Sequence, residues 1–527
     1  MPRCAAPESD GHAAIASVGD VIHRDYLLRR TQPIRRESEL IAGAGVRGRF
    51  RSVSAILNTT VFATLVSIGA KIVKVFSFVL ALATSPLIFS QSGDWALLTA
   101  EQRSLNLQSL EKIWTTVRDK HWDPAIGGVD WSSAHKAALL DLQNAKTMEQ
   151  SRAIMSEMLS KLGQSHFAVI PSYLYTEIEP TRNRGSKQTS HSRPGSGVSA
   201  DPKRREEQCG VGLEAAYIDG KARVVALDRE SPAARAGIRL GWELVSVDGF
   251  DIASSLKLLA NTELREREIY ERGMLEAAFQ GAEDETVEAV FLDGDGKTRK
   301  VTLDRMAPKG SLAQFGFLPQ TRVWIETKQL DGPIGYVRFN LFFDPEQLMP
   351  AFEKAVRECG KCQGFVIDLR GNPGGIGAMS MGMAGWFVPR KGRKLGTMKA
   401  RDYSVEFEIN PRVNAFGQPL AVLVDGASAS TSEILAAGLQ DLGRARVFGT
   451  KTAGAALPSM VIRLPNSDGF QYAEATYTSY RGQVLEGVGV TPDVLVKHSR
   501  ESLLAQRDAP LDAAVEWIKM EFNKPQN

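Results

Sequence analysis

The sequence has little cysteine and little histidine, with 4 Cys and 7 His among 527 residues. Cys359 and Cys362 form a single C-x-x-C pair, and no second pair or nearby histidine offers the spacing that a zinc site needs. A thioredoxin-type pair would begin a helix after a strand, whereas this pair ends a helical stretch. We therefore interpret it as an incidental or structural disulfide formed in an oxidising compartment, and we expect no metal and no cofactor.

The sequence also lacks a strong excess of charge of one sign, since its net charge is +3. The excess comes from the Arg-rich N-terminal region, and basic and acidic residues nearly balance beyond residue 90. This balance argues against a nucleic-acid surface. Hydrophobic residues make up 43% and charged residues 24%, which is ordinary for a globular protein with a core of normal size.

Long apolar runs are absent apart from one near the N-terminus. Residues 75–90 are apolar, follow Lys71 and Lys74, and resemble an export signal. The run is short for a membrane-spanning helix, which needs about 20 residues, although the apolar residues 56–70 keep a membrane anchor as an alternative. We expect a periplasmic or extracellular protein. Because signals normally begin a chain, our hypothesis is that translation starts nearer residues 60–73 than Met1.

Changes in pattern along the chain predict its domains. Apolar residues recur at helical spacing from residue 97 to about 160, whereas residues 180–207 are polar, basic and rich in Ser and Gly, as in a flexible linker. Strands alternate with helices from Ile334 onward, which predicts an α/β core. The predicted divisions are an N-terminal extension (1–95), a helical cap (96–178), a linker (179–208), a β-rich domain (209–306), the core (307–500) and a C-terminal helix (501–527).

The β-rich segment carries three short motifs. Residues 210–213 read GVGL, residues 231–237 read SPAARAG, and residues 240–249 end in an Asp-Gly turn. In this order and spacing they resemble a PDZ domain. The resemblance implies that successive N–H groups of one loop bind a peptide carboxylate and that a strand edge accepts the peptide. The implied loop residues are Gly210, Val211, Gly212 and Leu213. A small β domain without a ligand is the alternative.

The stretch at residues 421–441 combines an apolar strand, a tight turn, several small hydroxyl residues and the start of a helix. This layout exposes a serine beside free backbone N–H groups, which can hold a developing oxyanion. By itself it is also explained by an ordinary helix N-cap, because Glu433 completes a capping box. An Asn-Pro-Gly-Gly turn after the strand at residues 364–369 offers further uncrowded N–H groups.

These two turns, the PDZ-like segment and the late LEGVGVTPD sequence at residues 485–493 together resemble the tail-specific (C-terminal-processing) serine peptidase family. The resemblance covers about residues 97–497. It implies an α/β core of the crotonase/ClpP-like type with a helical cap and an inserted PDZ-like domain. It also implies that Ser430 is the nucleophile, with Ser428 and Ser432 structural. Thr431 and either Gly374 or Gly375 would supply the oxyanion N–H groups.

One departure from this family concerns the general base. The better-known branch uses a lysine in a T-x-G-K stretch, but residues 452–455 read TAGA, and Lys451 lies on the wrong side of that turn. Ser165 and His166 instead resemble the Ser-His pair of tricorn-type members, which a late glutamate, here Glu486, completes. A serine needs a base within hydrogen-bond reach, and imidazole has a suitable pKa.

We therefore predict an exported serine endopeptidase that acts on unfolded or tail-presented proteins. Protein or peptide chains would be its substrates, with possible membrane association through the N-terminal segment. The missing lysine keeps two alternatives open, a catalytically inactive peptide-binding protein and an envelope scaffold, each retaining the fold. Asp368, Arg370 and Asp441 are interpreted as structural ion-pair or turn residues.

Overall fold

A computed structural model describes residues 97–174, 209–258 and 264–524. The predicted N-terminal extension, the export signal or anchor, and the linker lie outside the described residues. Among the described helices, none has the length and apolar character needed to cross a membrane.

The described residues form helices in the N-terminal segment, a β-rich middle segment and alternating strands and helices from Ile334 to Ala384. The α-helices are α1 (Ala100–Lys120), α2 (Trp131–Gln143), α3 (Met148–Ser160), α4 (Pro232–Arg235), α5 (Ile252–Leu258), α6 (Leu264–Ala277), α7 (Pro345–Glu358), α8 (Gly377–Ala384), α9 (Thr431–Asp441), α10 (Arg500–Leu504) and α11 (Ala509–Phe522). The strands are β1 (Ala168–Ile170), β2 (Leu213–Ile218), β3 (Lys221–Leu227), β4 (Glu243–Val247), β5 (Phe250–Asp251), β6 (Thr286–Leu292), β7 (Thr298–Asp304), β8 (Ser311–Ala313), β9 (Thr321–Val323), β10 (Ile325–Leu330), β11 (Ile334–Phe339), β12 (Gly364–Asp368), β13 (Lys394–Ala400), β14 (Ser404–Glu408), β15 (Leu420–Val424), β16 (Arg446–Gly449), β17 (Ser459–Arg463), β18 (Gly469–Ala473), β19 (Ala475–Ser479) and β20 (Val494–Leu495). Short 3-10 helices lie at Ile126–Gly128 and Ser172–Leu174.

The central sheet has the strand order β10-β11-β12-β15-β16-β20, and all neighbours are parallel except the β10–β11 pair. Strands β12 and β15 are buried along their whole length, as expected for parallel strands covered on both faces. Helices α7, α8 and α9 pack on one face, and α11 packs on the other. Because β12 and β15 run in the same direction, the loops that follow them emerge at one edge of the sheet.

The three N-terminal helices share their apolar core with a strand pair from the late part of the chain. Leu110, Ile113 and Val117 of α1 are fully buried in a cluster that also contains Phe470 of β18. Strand β1, which follows α3 closely, pairs antiparallel with β18. The helical cap is thereby joined to the core by main-chain hydrogen bonds as well as by apolar packing.

Residues 209–306 form an antiparallel sheet of order β2-β3-β4-β6-β7, with β5 paired to β4. Val224, Phe291 and other fully buried side chains give this sheet an apolar cluster of its own. Ser231 caps α4 by accepting a hydrogen bond from Ala234 N–H, with a proline in the first turn. The short helix and the Asp-Gly hairpin between β4 and β5 lie where the sequence predicted them.

Cys359 and Cys362 are joined in a disulfide at the end of α7, and both are buried. Their interpretation as a disulfide is thus confirmed. Asp368 and Arg370 form a buried ion pair that extends to Asp508, while Asp441 accepts hydrogen bonds from Ser479 Oγ and Arg481 N–H. These three residues have the structural contacts that were predicted for them.

One buried ion pair links the cap to the strand pair. Arg152 Nη2 lies 2.9 Å from Asp468 Oδ1, with exposed side-chain fractions of 6% and 0%. Removing the cation would leave Asp468 buried with hydrogen bonds from Ser172 N–H and Asn466 but no charge partner. Breaking a buried pair from one side costs about 3–5 kcal/mol.

We expect Arg152→Leu to lower the free energy of unfolding by about 3–5 kcal/mol, measured by urea denaturation. The control is Lys354→Met, which removes an exposed pair with Glu358 at 3.7 Å and should change stability by less than about 1 kcal/mol. Equal changes in the free energy of unfolding for the two substitutions would contradict the prediction that the buried ion pair stabilises the fold.

Candidate active site

Two loops leave the sheet edge side by side, and Asp425 joins them. The first runs from Leu369 to Gly375 after β12, and the second runs from Asp425 to Ser430 after β15. Asp425 Oδ1 accepts hydrogen bonds from Gly371 N–H at 2.9 Å and Ala427 N–H at 3.1 Å. One carboxylate therefore holds both loops in a fixed relation.

Asn372 and two serines complete this connection inside the protein. Asn372 is fully buried, and its main-chain and side-chain oxygens both accept hydrogen bonds from Ser432 Oγ, at 2.9 and 3.0 Å. Ser428 Oγ donates to the Leu369 carbonyl at 2.8 Å and accepts from Asp425 N–H. Ser428 and Ser432 thus serve the loops structurally, as the resemblance implied for the serines on either side of Ser430.

Ser430 precedes α9 in a backbone conformation that an ordinary cap does not need. Its φ is 53° and its ψ is −116°. The cap residues Thr99, Thr147, Ser231 and Ser499 in the same chain are all extended, with φ between −132° and −69°. Strained backbone at a non-glycine residue is characteristic of functional positions, including nucleophiles held on a sharp strand-to-helix turn. Ser430 thus differs in backbone conformation from these serine and threonine caps, although Asp344, which caps α7, also has a positive φ of 49°.

Glu433 binds several groups around Ser430. The sequence pattern predicted only its part in a capping box. It is fully buried and accepts hydrogen bonds from Ser430 N–H, Thr452 Oγ1, Gly454 N–H and Ala455 N–H. Burial raises the pKa of Glu433 to about 7, although these donors offset part of that effect. Residues 452–455, the stretch in which the better-known branch carries its lysine, thus donate hydrogen bonds to the Glu433 carboxylate.

The two candidate oxyanion donors are tied together by a side chain. Thr431 Oγ1 donates to the Gly375 carbonyl at 2.8 Å. Gly374 N–H already donates to Asn372 Oδ1 at 2.9 Å, which favours Gly375 as the candidate donor of the two. Gly375 has a φ of 132°, and a Cβ there would lie 2.1 Å from the Phe342 carbonyl oxygen. Only glycine fits this close approach of the two backbones.

His166, Ser165 and Glu486 form a continuous line of hydrogen bonds. Ser165 Oγ lies 2.6 Å from His166 Nδ1 and 2.8 Å from Glu486 Oε2. A hydroxyl carries one hydrogen, and a carboxylate can only accept, so Ser165 donates to Glu486 and accepts from Nδ1–H. His166 Nε2 then carries the lone pair of the neutral ring.

A single loop connects this line of hydrogen bonds to the turn at Asp425–Ser430, which carries the candidate nucleophile and is called the nucleophile turn below. Ser430 N–H donates to the Ala455 carbonyl at 2.8 Å, and the next residue, Ala456, donates its N–H to Glu486 at 3.0 Å. The structure thus brings Ser430, Ser165, His166 and Glu486 to one edge of the core. Lys451 is exposed to solvent outside this arrangement, and Ala455 is buried.

His166 resembles Ser430 in its backbone strain, since its φ is 63°. Its ring is buried, and burial lowers the pKa of His166 to about 3. The ring is therefore neutral at neutral pH, which is the protonation state that a general base requires.

Helix α6 of the β-rich unit forms a wall of the same site. Ile269 packs in a small apolar cluster with Ala429 and Ala455, which flank Ser430 in sequence and in space. Arg272 forms an ion pair with Asp425, the carboxylate that joins the two loops. The nucleophile turn therefore contacts the β-rich unit directly.

The model of Peptidase family S41 matches residues 333–496, which include both loops, Ser430 and Glu486. Carboxyl-terminal-processing peptidase 3 of Arabidopsis thaliana, a chloroplastic protein, is 24% identical over 450 residues, covering 83% of this chain and 78% of that protein. The carboxyl-terminal-processing protease of Synechocystis is 24% identical over 458 residues, covering 85% and 94%. Residues 333–496 therefore match peptidase family S41, and the similarity to carboxyl-terminal-processing proteases extends over most of the chain.

A further relative, the carboxy-terminal-processing protease of Bartonella bacilliformis, is 26% identical over 295 residues, and the match spans 55% of this chain and 61% of that protein. Among solved structures, mature CPAF superposes with a TM-score of 0.51 at 14% identity, over 81% of this chain and 99% of CPAF. A CPAF mutant superposes with a TM-score of 0.53 over the same shares. These structures support the S41 fold alone.

The hydrogen bond between Thr431 and Gly375 generates a prediction for the S41 site. Thr431→Val removes the donor while keeping the shape of the side chain, so the Gly375 segment should loosen. We expect kcat for hydrolysis of an unstructured protein to fall about 10- to 100-fold, because one misplaced oxyanion donor costs up to about 1000-fold.

The matched control for this prediction is Thr431→Ser, which keeps the hydroxyl and should retain most of the rate. Thermal unfolding of both variants checks that the fold is intact. Similar kcat values for the valine and serine variants would contradict the proposed role of the hydroxyl.

Proposed function

We propose that this chain is an exported serine endopeptidase that hydrolyses peptide bonds through an acyl-enzyme on Ser430. The observation that carries the proposal is the line of hydrogen bonds from His166 through Ser165 to Glu486, ending on the loop that receives Ser430 N–H. It supplies a base in a chain whose T-x-G-A stretch lacks the lysine.

In the proposed reaction, His166 Nε2 takes the proton of Ser430 Oγ as the hydroxyl attacks the substrate carbonyl carbon. The ring later gives this proton to the leaving amine, and water hydrolyses the acyl-enzyme by the same route. Ser165 and Glu486 orient the ring through Nδ1–H and stabilise its cationic form, as a third group does in other triads. The N–H groups of Thr431 and Gly375 stabilise the oxyanion.

We also propose that residues 209–306 act as a PDZ-like domain that binds chain ends and delivers them to the core. Gly210 N–H donates to the Met306 carbonyl at 3.0 Å, so the loop can present the N–H groups of Val211, Gly212 and Leu213. Strand β2, which begins at Leu213, lies at the edge of its sheet, where an extended peptide can add. Because α6 also walls the nucleophile turn, this domain is suited to gate the site.

A second candidate function rests on Ala455, which replaces the usual lysine. A catalytically inactive peptide-binding or scaffold protein would keep the same fold and the same PDZ-like loop. The two proposals differ in the reactivity of Ser430, because only an activated hydroxyl reacts with a serine-directed phosphonate. Absence of labelling in folded protein would favour the inactive alternative.

The main test compares single substitutions on hydrolysis of an unstructured protein such as β-casein. We expect Ser430→Ala and His166→Ala each to abolish turnover, because one removes the nucleophile and the other its base. Lys451→Ala should keep most of the activity, since that side chain is exposed away from the hydrogen-bonded line. Loss of activity in folded Lys451→Ala would reverse the assignment of the base.

The buried ring also predicts an unusual pH dependence. Since burial holds the pKa of His166 near 3, compared with 6.5 for a solvated ring, the base stays unprotonated in mild acid. We expect the acid limb of kcat/KM for a fluorogenic peptide to have its midpoint below about pH 5.

The same pKa difference also makes folding stability depend on pH, so loss of the fold must be distinguished from loss of activity. Below pH 6.5 the unfolded chain takes up the proton before the folded chain does, so the contribution of His166 to folding is lost as the pH falls toward 3. Circular dichroism at each pH therefore accompanies the rate measurements, with Ser430→Ala as the background. A midpoint near pH 6.5 in folded protein would contradict a buried base.

A further inference from the structure

A second histidine of the cap, His121, lies beside the segment that carries His166 and takes no part in the proposed proton transfer. Its ring is fully buried at the end of α1, and the main-chain N–H of His121 donates to the Val117 carbonyl at 3.0 Å. Buried polar atoms in native proteins nearly always have hydrogen-bond partners, and the partners of this ring are specific.

Both ring nitrogens of His121 have hydrogen-bond partners. Nε2 lies 2.9 Å from Gln164 Oε1, an oxygen that can only accept, so Nε2–H is the donor of this bond. Nδ1 lies 2.9 Å from the carbonyl oxygen and 3.1 Å from the main-chain nitrogen of Asp123. The ring therefore links the Asp123 main chain to the Gln164 side chain.

The same ring also packs against Phe167, the residue that follows Ser165 and His166 in the chain. The His121 ring stacks on Phe167 with centroids 5.9 Å apart and an interplanar angle of 13°, and on Trp122 at 4.0 Å. Gln164 precedes Ser165, and Phe167 follows His166. His121 thus contacts both neighbours of the catalytic pair, one by a hydrogen bond and the other by stacking.

The segment between these contacts is strained and needs support. His166 has a φ of 63°, a conformation that a non-glycine residue keeps only where its surroundings over-determine it. Glu486 supports the segment from the core by accepting Ser165 N–H at 2.8 Å. On the cap side, Arg401 Nε donates to the His121 carbonyl at 3.0 Å, which anchors the end of α1 to the core.

We propose that His121 is a positioning residue that keeps residues 164–167 in the conformation that presents His166 to Ser430. This inference rests on the proposed function, because it assumes that His166 is the base. His121 does not touch the reacting atoms. Its effect should appear in kcat more than in KM, since displacement of a catalytic group by about 1 Å can cost on the order of 100-fold.

The test compares two substitutions of His121 with one of Gln164. His121→Phe keeps a stacking ring and removes the Nε2–H donor, whereas His121→Gln keeps a donor near the same place. We expect the phenylalanine variant to lose about 10- to 100-fold in kcat with KM within about twofold, and the glutamine variant to recover a substantial part of kcat. Gln164→Met removes the acceptor and should reproduce the phenylalanine variant.

A double-mutant cycle separates this link from a general loss of stability. If the bond between His121 and Gln164 carries the effect, the double variant should be no slower than either single one. The matched control is His135→Phe, because His135 is also a cap histidine, stacked on Trp114 and hydrogen-bonded to Glu111. It should leave kcat unchanged, and thermal unfolding is recorded for every variant.

Three outcomes would overturn the inference: wild-type kcat in folded His121→Phe, fully multiplicative losses in the double variant, or an equal loss in His135→Phe. Failure of the proposed function gives a different result, because the wild type would then show no hydrolysis that depends on Ser430. Rates of Ser430 labelling by a serine-directed phosphonate should follow kcat across the series, which places any defect before release of product.

Discussion

The Glu486 carboxylate makes the contact on which the candidate site depends. It accepts hydrogen bonds from the main chain and the hydroxyl of Ser165, which is 321 residues away in sequence, and from Ala456 N–H beside the nucleophile loop. Without this contact the histidine would belong to the helical cap alone. A carboxylate suits this position because it accepts several hydrogen bonds at once.

Two further buried acceptors shape the nucleophile side. Asp425 joins the loops that follow β12 and β15, and Glu433 holds Ser430 N–H together with Gly454 and Ala455. Each carboxylate accepts hydrogen bonds from several backbone N–H groups of these loops. The replacement of lysine by Ala455 is therefore accommodated within an ordered loop, and the proposed base comes from a different part of the chain.

The β-rich unit contributes to the same region from outside the core. Ile269 packs on Ala429 and Ala455, and Arg272 pairs with Asp425. Helix α6 therefore contacts both the apolar residues beside Ser430 and the carboxylate that joins the two loops. A movement of this unit would change the surroundings of Ser430 without altering the sheet.

Local sequence patterns were sufficient for the helical N-terminal segment, the first strands and helices of the core, the disulfide between Cys359 and Cys362, and the strand, turn and helix around Ser430. They did not predict the strands at Lys394–Ala400, Ser404–Glu408 and Ser459–Arg463. Periodicity, glycine turns and capping residues act over a few neighbours, so they can be read without the fold. The candidate roles of His166 and Glu486 came from motif resemblance. Only the tertiary structure showed that Gly374 N–H donates to Asn372, what Glu433 binds, and how His121 contacts the segment around His166. Those contacts join residues that are distant in sequence, and their distances and burial exist only once the cap, the β-rich unit and the core are packed together.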